Sequence, residues 1–308
     1  MARRALPPPG VGRGMTMLSG RTVTPDPASV YDDVARASAA LVIRRYSSSF
    51  GLASRLLAPP VRSHVGNVYA LVRVADELVD APRPGSGPAQ RRALLDDLEA
   101  EVTRALVTGH SSNLVVHAFA GTARTCGIGS ELTGPFFESM RMDLERGTHD
   151  DESFARYVHG SAEVVGLMCL RVFLLDERDP VTAYAELAPG AQALGAAFQK
   201  INFLRDLAED SAVLGRQYFP GIDPARLTDA QRRTLLDDID TDLRVAEPAV
   251  ARLPGSSRRA VRVAHALFAE LSHRLRGTSA AEIRVRRVRV PGPAKALVVA
   301  RCLLRRPR

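Results

Sequence analysis

The chain has 308 residues, 45% of them hydrophobic and 25% charged, with no Trp and a formal net charge of +8. That apolar share excludes a disordered or collagen-like chain, and the length is enough to bury a large core without staples. Three widely separated cysteines, Cys126, Cys169 and Cys302, exclude a disulfide framework and match no zinc-binding spacing.

The charge is unevenly placed. Of the 42 basic residues only Lys200 and Lys295 are lysines. From Arg252 to Arg308 there are 15 basic residues against Glu270 and Glu282, so the last fifth is strongly basic while the preceding body is mildly acidic. Such an end is either a solvated surface or a partner for anionic lipid, nucleic acid or a phosphate-bearing substrate. No run of about 18 apolar residues occurs, and Met1–Gly20 lacks the apolar stretch of a secretory signal. The expectation is a cytoplasmic protein, at most peripheral to a membrane.

Taken in order, residues 1–28 hold Pro7, Pro8, Pro9, Pro25 and Pro27 among Gly and Arg, and read as a disordered leader. From Ser29 the apolar spacing and the Pro and Gly breaks predict helix after helix. They cover 29–46, 61–81, 89–107, 112–126, 131–146, 152–176, 189–213, 228–252, 256–276 and 293–305. One break is expected at Pro189-Gly190, and Arg284–Val290 is the one strand-like alternation. No linker composition interrupts this run, so residues 29–308 are expected to form one all-α domain with a basic C-terminal segment.

Two of these helices carry chemistry. On the first, Tyr69, Arg73, Asp76 and Asp80 fall within about 60° of one another at 100° per residue, opposite Leu71, Val74 and Leu78. On the second, Gln199, Asn202, Asp206 and Asp210 share a stripe about 80° wide, backed by Leu194, Ala197, Ile201, Leu204 and Ala208. Like charges at i,i+4 destabilise a helix by roughly 0.2–0.5 kcal/mol per pair. A single such pair is ordinarily a solvated face. Two pairs, flanked by Tyr, Arg, Gln and Asn, ask for a hard cation such as Mg²⁺, which takes carboxylate and amide oxygens and shares its shell with substrate phosphates.

With these motifs go Tyr46-Ser-Ser-Ser-Phe50, Tyr157-Val-His-Gly-Ser-Ala-Glu-Val-Val-Gly166 and Arg216-Gln-Tyr218-Phe-Pro220. In their order and spacing the blocks resemble the squalene and phytoene synthase family of head-to-head prenyl synthases, over roughly residues 29–305. The resemblance implies an all-α, single-domain bundle of the isoprenoid-synthase type around a central cavity. It implies that two prenyl diphosphates join through a cyclopropyl intermediate, with Mg²⁺, or Mn²⁺ in its place, held by Asp76, Asp80, Asn202, Asp206 and Asp210. Tyr46, Ser47, Ser48, Ser49, Tyr69, Arg73, Gln199, Arg205 and Arg287 would bind diphosphate, and Tyr157 and Tyr218 would handle a proton or stabilise a cation. Two geranylgeranyl diphosphates giving phytoene is the reading adopted. Squalene or dehydrosqualene formation from two farnesyl diphosphates is the alternative, with NADPH as reductant for squalene.

Three positions depart from the family pattern: Ser48 where Lys or Arg is usual, Glu163 where Gly is usual, and Phe268 where Tyr is common. Ser161, Val164 and Met168 follow Tyr157 at helical spacing and are either core or the wall of a prenyl tunnel; His159 reads as structural. A basic helical module for membrane or nucleic acid is the competing class, but it has no use for inward-facing aspartates, and no nucleic-acid partner is expected.

Overall fold

Val61, Val65, Val68, Leu71, Ala75 and Val79 recur at three- and four-residue spacing, and all six are buried. That stripe seats one helix in the middle of the largest apolar cluster and leaves its other face for polar work. The computed structural model describes residues 26–46, 49–80, 85–145, 147–210 and 215–304. Its helices are α1 (Pro27–Tyr46), α2 (Ser49–Ser54), α3 (Pro59–Asp80), α4 (Pro88–Thr108), α5 (Leu114–Cys126), α6 (Ser130–Glu145), α7 (Asp151–Val158), α8 (Val164–Phe173), α9 (Pro180–Glu209), α10 (Asp229–Arg252), α11 (Gly255–Gly277), α12 (Ala280–Ile283) and α13 (Gly292–Leu304). Among the described residues the β pairing is limited to the isolated bridge Thr148–Gln217. The all-α expectation holds. The leader expected over 1–28 falls almost entirely outside the described residues, and Pro27 already opens α1.

The helix starts follow their chemistry. Asp150, Thr228 and Ser279 close capping boxes, Asn113 accepts from the first N–H groups of α5, and Asp179 caps α9 ahead of Pro180. The short helices α2 and α12 are too brief to show a period and were not anticipated.

Three expectations fail for packing reasons. The break at Pro189-Gly190 is absent, and α9 runs through it from Pro180 to Glu209. Proline forfeits its own N–H bond there, while Gly190 lets α9 press against α10, where an added Cβ would collide with the Ala249 Cβ. The strand-like Arg284–Val290 finds no partner strand among the described residues; it is a turn followed by a segment without regular structure, with Val288 buried and Arg287 turned toward Asp206.

The third concerns the helix read as 152–176. It divides into α7, a π-helical turn over His159–Glu163, and α8. The Val164 N–H reaches back five residues to the His159 carbonyl. Two glycines make room for this widened turn. A Cβ on Gly160 would strike the Pro135 carbonyl of α6, and one on Gly195 would lie 2.6 Å from the Ala162 carbonyl oxygen. The inserted residue turns everything after it by about 100°.

Candidate active site

A cavity of about 630 Å³ lies between α2, α3, α8, α9, α10 and α11. Most of its wall is apolar: Leu170, Phe173 and Leu187 at one end, with Gly166, Gly190, Ala191, Gly195, Ala260 and Ala264 along the sides. Tyr46, Tyr69, Arg73, Gln199, Asn202, Arg205, Asp206 and Arg287, all anticipated as site residues, form its polar end. α9 reaches both ends through one face, since Leu187, Ala191, Leu194, Phe198, Asn202 and Asp206 recur at three- to four-residue spacing. Leu194, expected on the apolar back of α9, is therefore on the cavity side. Ala197, Ile201 and Leu204 form the buried back as anticipated.

At the polar end several acidic groups are paired with arginine. Arg205 pairs with Asp206, and the Arg287 Nε lies 2.8 Å from the same carboxylate. Arg73 pairs with Glu77 and sits 4.5 Å over the Tyr46 ring. Gln199 donates to the Ser161 hydroxyl at 3.4 Å. Just beyond the cavity wall, the Arg216 guanidinium bonds the Asp80 carboxylate at 2.7 Å. Burial, then the Asp80 charge, pushes the Asp76 carboxyl up to about 7. Burial, then the Asp206 charge, pushes Asp210 up to about 7, and the Asp80 charge adds to that effect.

Tyr157 and Tyr218 do not line the cavity. Both are buried in an adjoining aromatic stack, with Tyr218 on Phe203 at 3.9 Å and Tyr157 on His149 at 4.9 Å. The Tyr157 hydroxyl donates to the Asp143 carboxylate at 2.8 Å, and the Tyr218 hydroxyl accepts from Arg216 at 3.1 Å. Ser47 and Ser48 lie outside the described residues, as does the Ser49 side chain, although Ser49 opens α2.

The π turn changes which face of α8 meets the cavity. Ala162, Val165, Gly166 and Cys169 line it, whereas Val164 and Met168 are sealed in the core. The tunnel reading of Ser161, Val164 and Met168 is thus out of register by one residue, the one the π turn inserts. Glu163 points away, bonded to His159 at 2.9 Å and to Gln192 at 3.4 Å. Phe268 lines the cavity and stacks on Phe198 at 3.7 Å, an apolar role.

The donor set suits a hard divalent cation. Oxygens supply it throughout, and the Asn202 Oδ1 is buried with no hydrogen-bond partner, four residues before Asp206. Asp76, Asp80, Asn202, Asp206 and Asp210 are the residues that would hold such an ion. Among the described residues no three His, Cys, Asp or Glu groups converge on one point, and arginines pair with Asp80 and Asp206.

Sequence reasoning missed Asp143 and assigned no role to Arg216. A lone Asp near the end of α6 has no repeating signal. Arg216 was visible as a basic residue six positions past Asp210. It also missed Arg289 and Lys295, which with Arg205 and Arg287 line a second cavity of about 380 Å³ beside the first.

Residues 43–294, well over half the chain, match the family model for squalene/phytoene synthase. The chain belongs to the squalene/phytoene synthase family. Phytoene synthase 3 of Zea mays is 32% identical over 205 residues, covering 65% of this chain and 46% of that protein. The 15-cis-phytoene synthase of a Paracoccus species is 31% identical over 183 residues, 58% of each chain. A presqualene diphosphate synthase of Rhodopseudomonas palustris is 31% identical over 175 residues, covering 56% of this chain and 58% of that protein. The chain thus spans about half the length of these relatives. A dehydrosqualene synthase solved with a ligand shares the squalene/phytoene synthase fold with a TM-score of 0.74 at 21% identity, over 90% of this chain and 98% of that one. A squalene synthase from Alicyclobacillus acidocaldarius shares it with a TM-score of 0.68 at 21% identity, over 83% and 97%.

Proposed function

We propose that the protein is a prenyltransferase that condenses two geranylgeranyl diphosphates head to head to phytoene, through prephytoene diphosphate, with release of diphosphate. One observation carries this reading: Asn202 and Asp206 of α9 stand with Arg73, Arg205 and Arg287 at the polar end of a 630 Å³ cavity whose remaining wall is apolar, and Asp80 of α3 lies just beyond that wall on Arg216. Family membership and the phytoene synthases among its relatives support it.

The tail length is argued from α9. Its cavity face runs from Leu187 to Asp206, a rise of about 28 Å at 1.5 Å per residue. An extended geranylgeranyl chain needs roughly 20 Å at ordinary carbon–carbon spacings. The glycines and alanines along that groove leave it open for tails of this length. A farnesyl tail, the squalene-type alternative, is shorter by one isoprene unit, roughly 5 Å, and leaves that much more of the groove unfilled.

Arg73, Arg205, Arg287 and Gln199 bind and orient the diphosphates, charge-assisted bonds from arginine being the stronger ones. When bound, Mg²⁺ or Mn²⁺ supplies Lewis-acid charge that assists diphosphate departure. The apolar wall excludes water from the cationic centres, and the stacked Phe198 and Phe268 rings offer them electron-rich faces. Tyr157 acts from beneath the carboxylates by passing its hydroxyl proton to Asp143, while Tyr218 accepts from Arg216 and orients that guanidinium. No NADPH is needed for phytoene.

The protein works in the cytoplasm against a membrane surface. Among the described residues no helix is long and apolar enough to cross a bilayer. Helix α13 instead lies on the outside of the bundle, with Leu297 51% and Leu304 81% exposed beside Arg301. In sequence Arg305, Arg306 and Arg308 follow it. An apolar face flanked by arginines suits an anionic lipid surface.

The testing experiment is diphosphate release from geranylgeranyl diphosphate at saturating Mg²⁺ by Asp76→Asn and Asp206→Asn. Both are expected to keep the helical circular dichroism and to lose turnover. Turnover close to the parent in either variant overturns the paired-aspartate reading.

A further inference from the structure

Behind the first aspartate pair lies a buried network that stands outside the cavity wall. Arg216 follows α9 and is held in place by the Gln217 N–H, which donates to the Gly147 carbonyl at 2.7 Å. Its side chain is 7% exposed, and it reaches several acceptors at once. Nη1 bonds Asp80 at 2.7 Å and the Tyr218 hydroxyl at 3.1 Å, and lies 3.4 Å from the Asp143 carboxylate. Nη2 reaches the Val79 and Asp143 carbonyls, each at 3.4 Å. Asp143, at the end of α6 with its side chain 6% exposed, accepts the Tyr157 hydroxyl on the same Oδ1 that faces Arg216.

Asp143 lies outside the cavity wall and outside both aspartate pairs. The guanidinium beside it cannot be neutralised, and its planar fork can hold two carboxylates at once. Left with Asp80 alone, that cation would compete with any other for the first aspartate pair. A second carboxylate beneath it gives the guanidinium somewhere to stay when Asp80 turns to another partner. We propose that Asp143 is a positioning residue that retains Arg216 as the fixed counter-cation of the two aspartate pairs and so frees Asp80 for an incoming metal–diphosphate. This rests on the diphosphate reading above.

The test is a calorimetric titration of the full chain with inorganic pyrophosphate in the presence of Mg²⁺, with melting midpoints measured in parallel. If the parent protein binds no Mg²⁺–pyrophosphate, the diphosphate reading itself fails. If it binds, Asp143→Asn, which keeps the shape and an acceptor for Tyr157, is expected to weaken affinity about tenfold. In an Arg216→Gln background the same substitution is expected to change affinity by less than twofold, since no cation remains to be retained; this non-additivity is what a shared network predicts. Should the Gln variant not fold, Arg216→Lys serves, because a point charge lacks the fork. Affinity then falls in the single variant and less than twofold further when Asp143→Asn is added. An Asp143→Asn protein with a lowered melting midpoint and unchanged pyrophosphate affinity overturns the proposal. So does an undiminished tenfold loss in either Arg216 background.

Discussion

Replacing Ala191 by Phe places an aromatic ring in the apolar half of the cavity. Ala191 stands on the cavity face of α9, one turn from Leu187 and one turn before Leu194 and Gly195, which also line it. The new ring occupies the space that the last isoprene unit of a twenty-carbon tail would fill. Burial of a methylene is worth about 0.8 kcal/mol, so displacing five carbons costs up to about 4 kcal/mol. At about 1.4 kcal/mol per factor of ten, kcat/KM for geranylgeranyl diphosphate falls by up to about 10³-fold. Farnesyl diphosphate ends short of that region and loses far less, so substrate preference reverses. The assay is kcat/KM for both substrates with product masses determined for each. A ratio between them that moves less than about twofold would refute the placement of the tail along α9.

Tyr157→Phe is expected to lower kcat by about 10²-fold, the scale of a lost proton-transfer group, and to lower the melting midpoint because buried Asp143 loses a donor; a destabilised but fully active variant retires Tyr157 from the chemistry. Asp76, Asp143 and Asp210 are each raised to about 7, so between about pH 4 and 7 the folded chain binds more protons than the unfolded one. In EDTA its stability should therefore fall as pH rises through that window and level off above it; a melting midpoint at about pH 8 equal to or above that at about pH 5.5 contradicts this. Gly160→Ala sets a Cβ against the Pro135 carbonyl and should cost about 3 kcal/mol or more in chemical denaturation, with a loss under about 1 kcal/mol arguing against the tight π-turn packing. Leu297→Glu together with Leu304→Glu should abolish binding to anionic liposomes at moderate salt while leaving turnover in detergent unchanged, and undiminished liposome binding counts against α13 as the contact.

The sequence patterns that survive are those written along a single helix. Tyr69 with Arg73 on α3, and Gln199, Asn202 and Asp206 on α9, share one end of the cavity because a helix converts spacing directly into a shared face. What could not be read depends on a neighbouring element. Pro189 looks like a stop, yet α9 continues because Gly190 packs against α10. Ser161, Val164 and Met168 keep helical spacing, but the π turn, fixed by contacts of Gly160 and Gly195 with other helices, rotates the next face into the cavity. Asp143 and Arg216 are 73 residues apart and meet only through the fold. The alternation in Arg284–Val290 is not kept, since Val285 is exposed and Val288 buried, yet Arg287 reaches the site from this irregular segment.

The most direct measurement is incubation of the purified chain with geranylgeranyl diphosphate and with farnesyl diphosphate, with and without Mg²⁺ and NADPH, followed by mass analysis of the extracted hydrocarbon and assay of released diphosphate. The account predicts a forty-carbon triene-centred product from geranylgeranyl diphosphate that depends on Mg²⁺ and not on NADPH. A thirty-carbon product formed from farnesyl diphosphate alone contradicts the assigned tail length, and no head-to-head product from either substrate contradicts the assigned reaction.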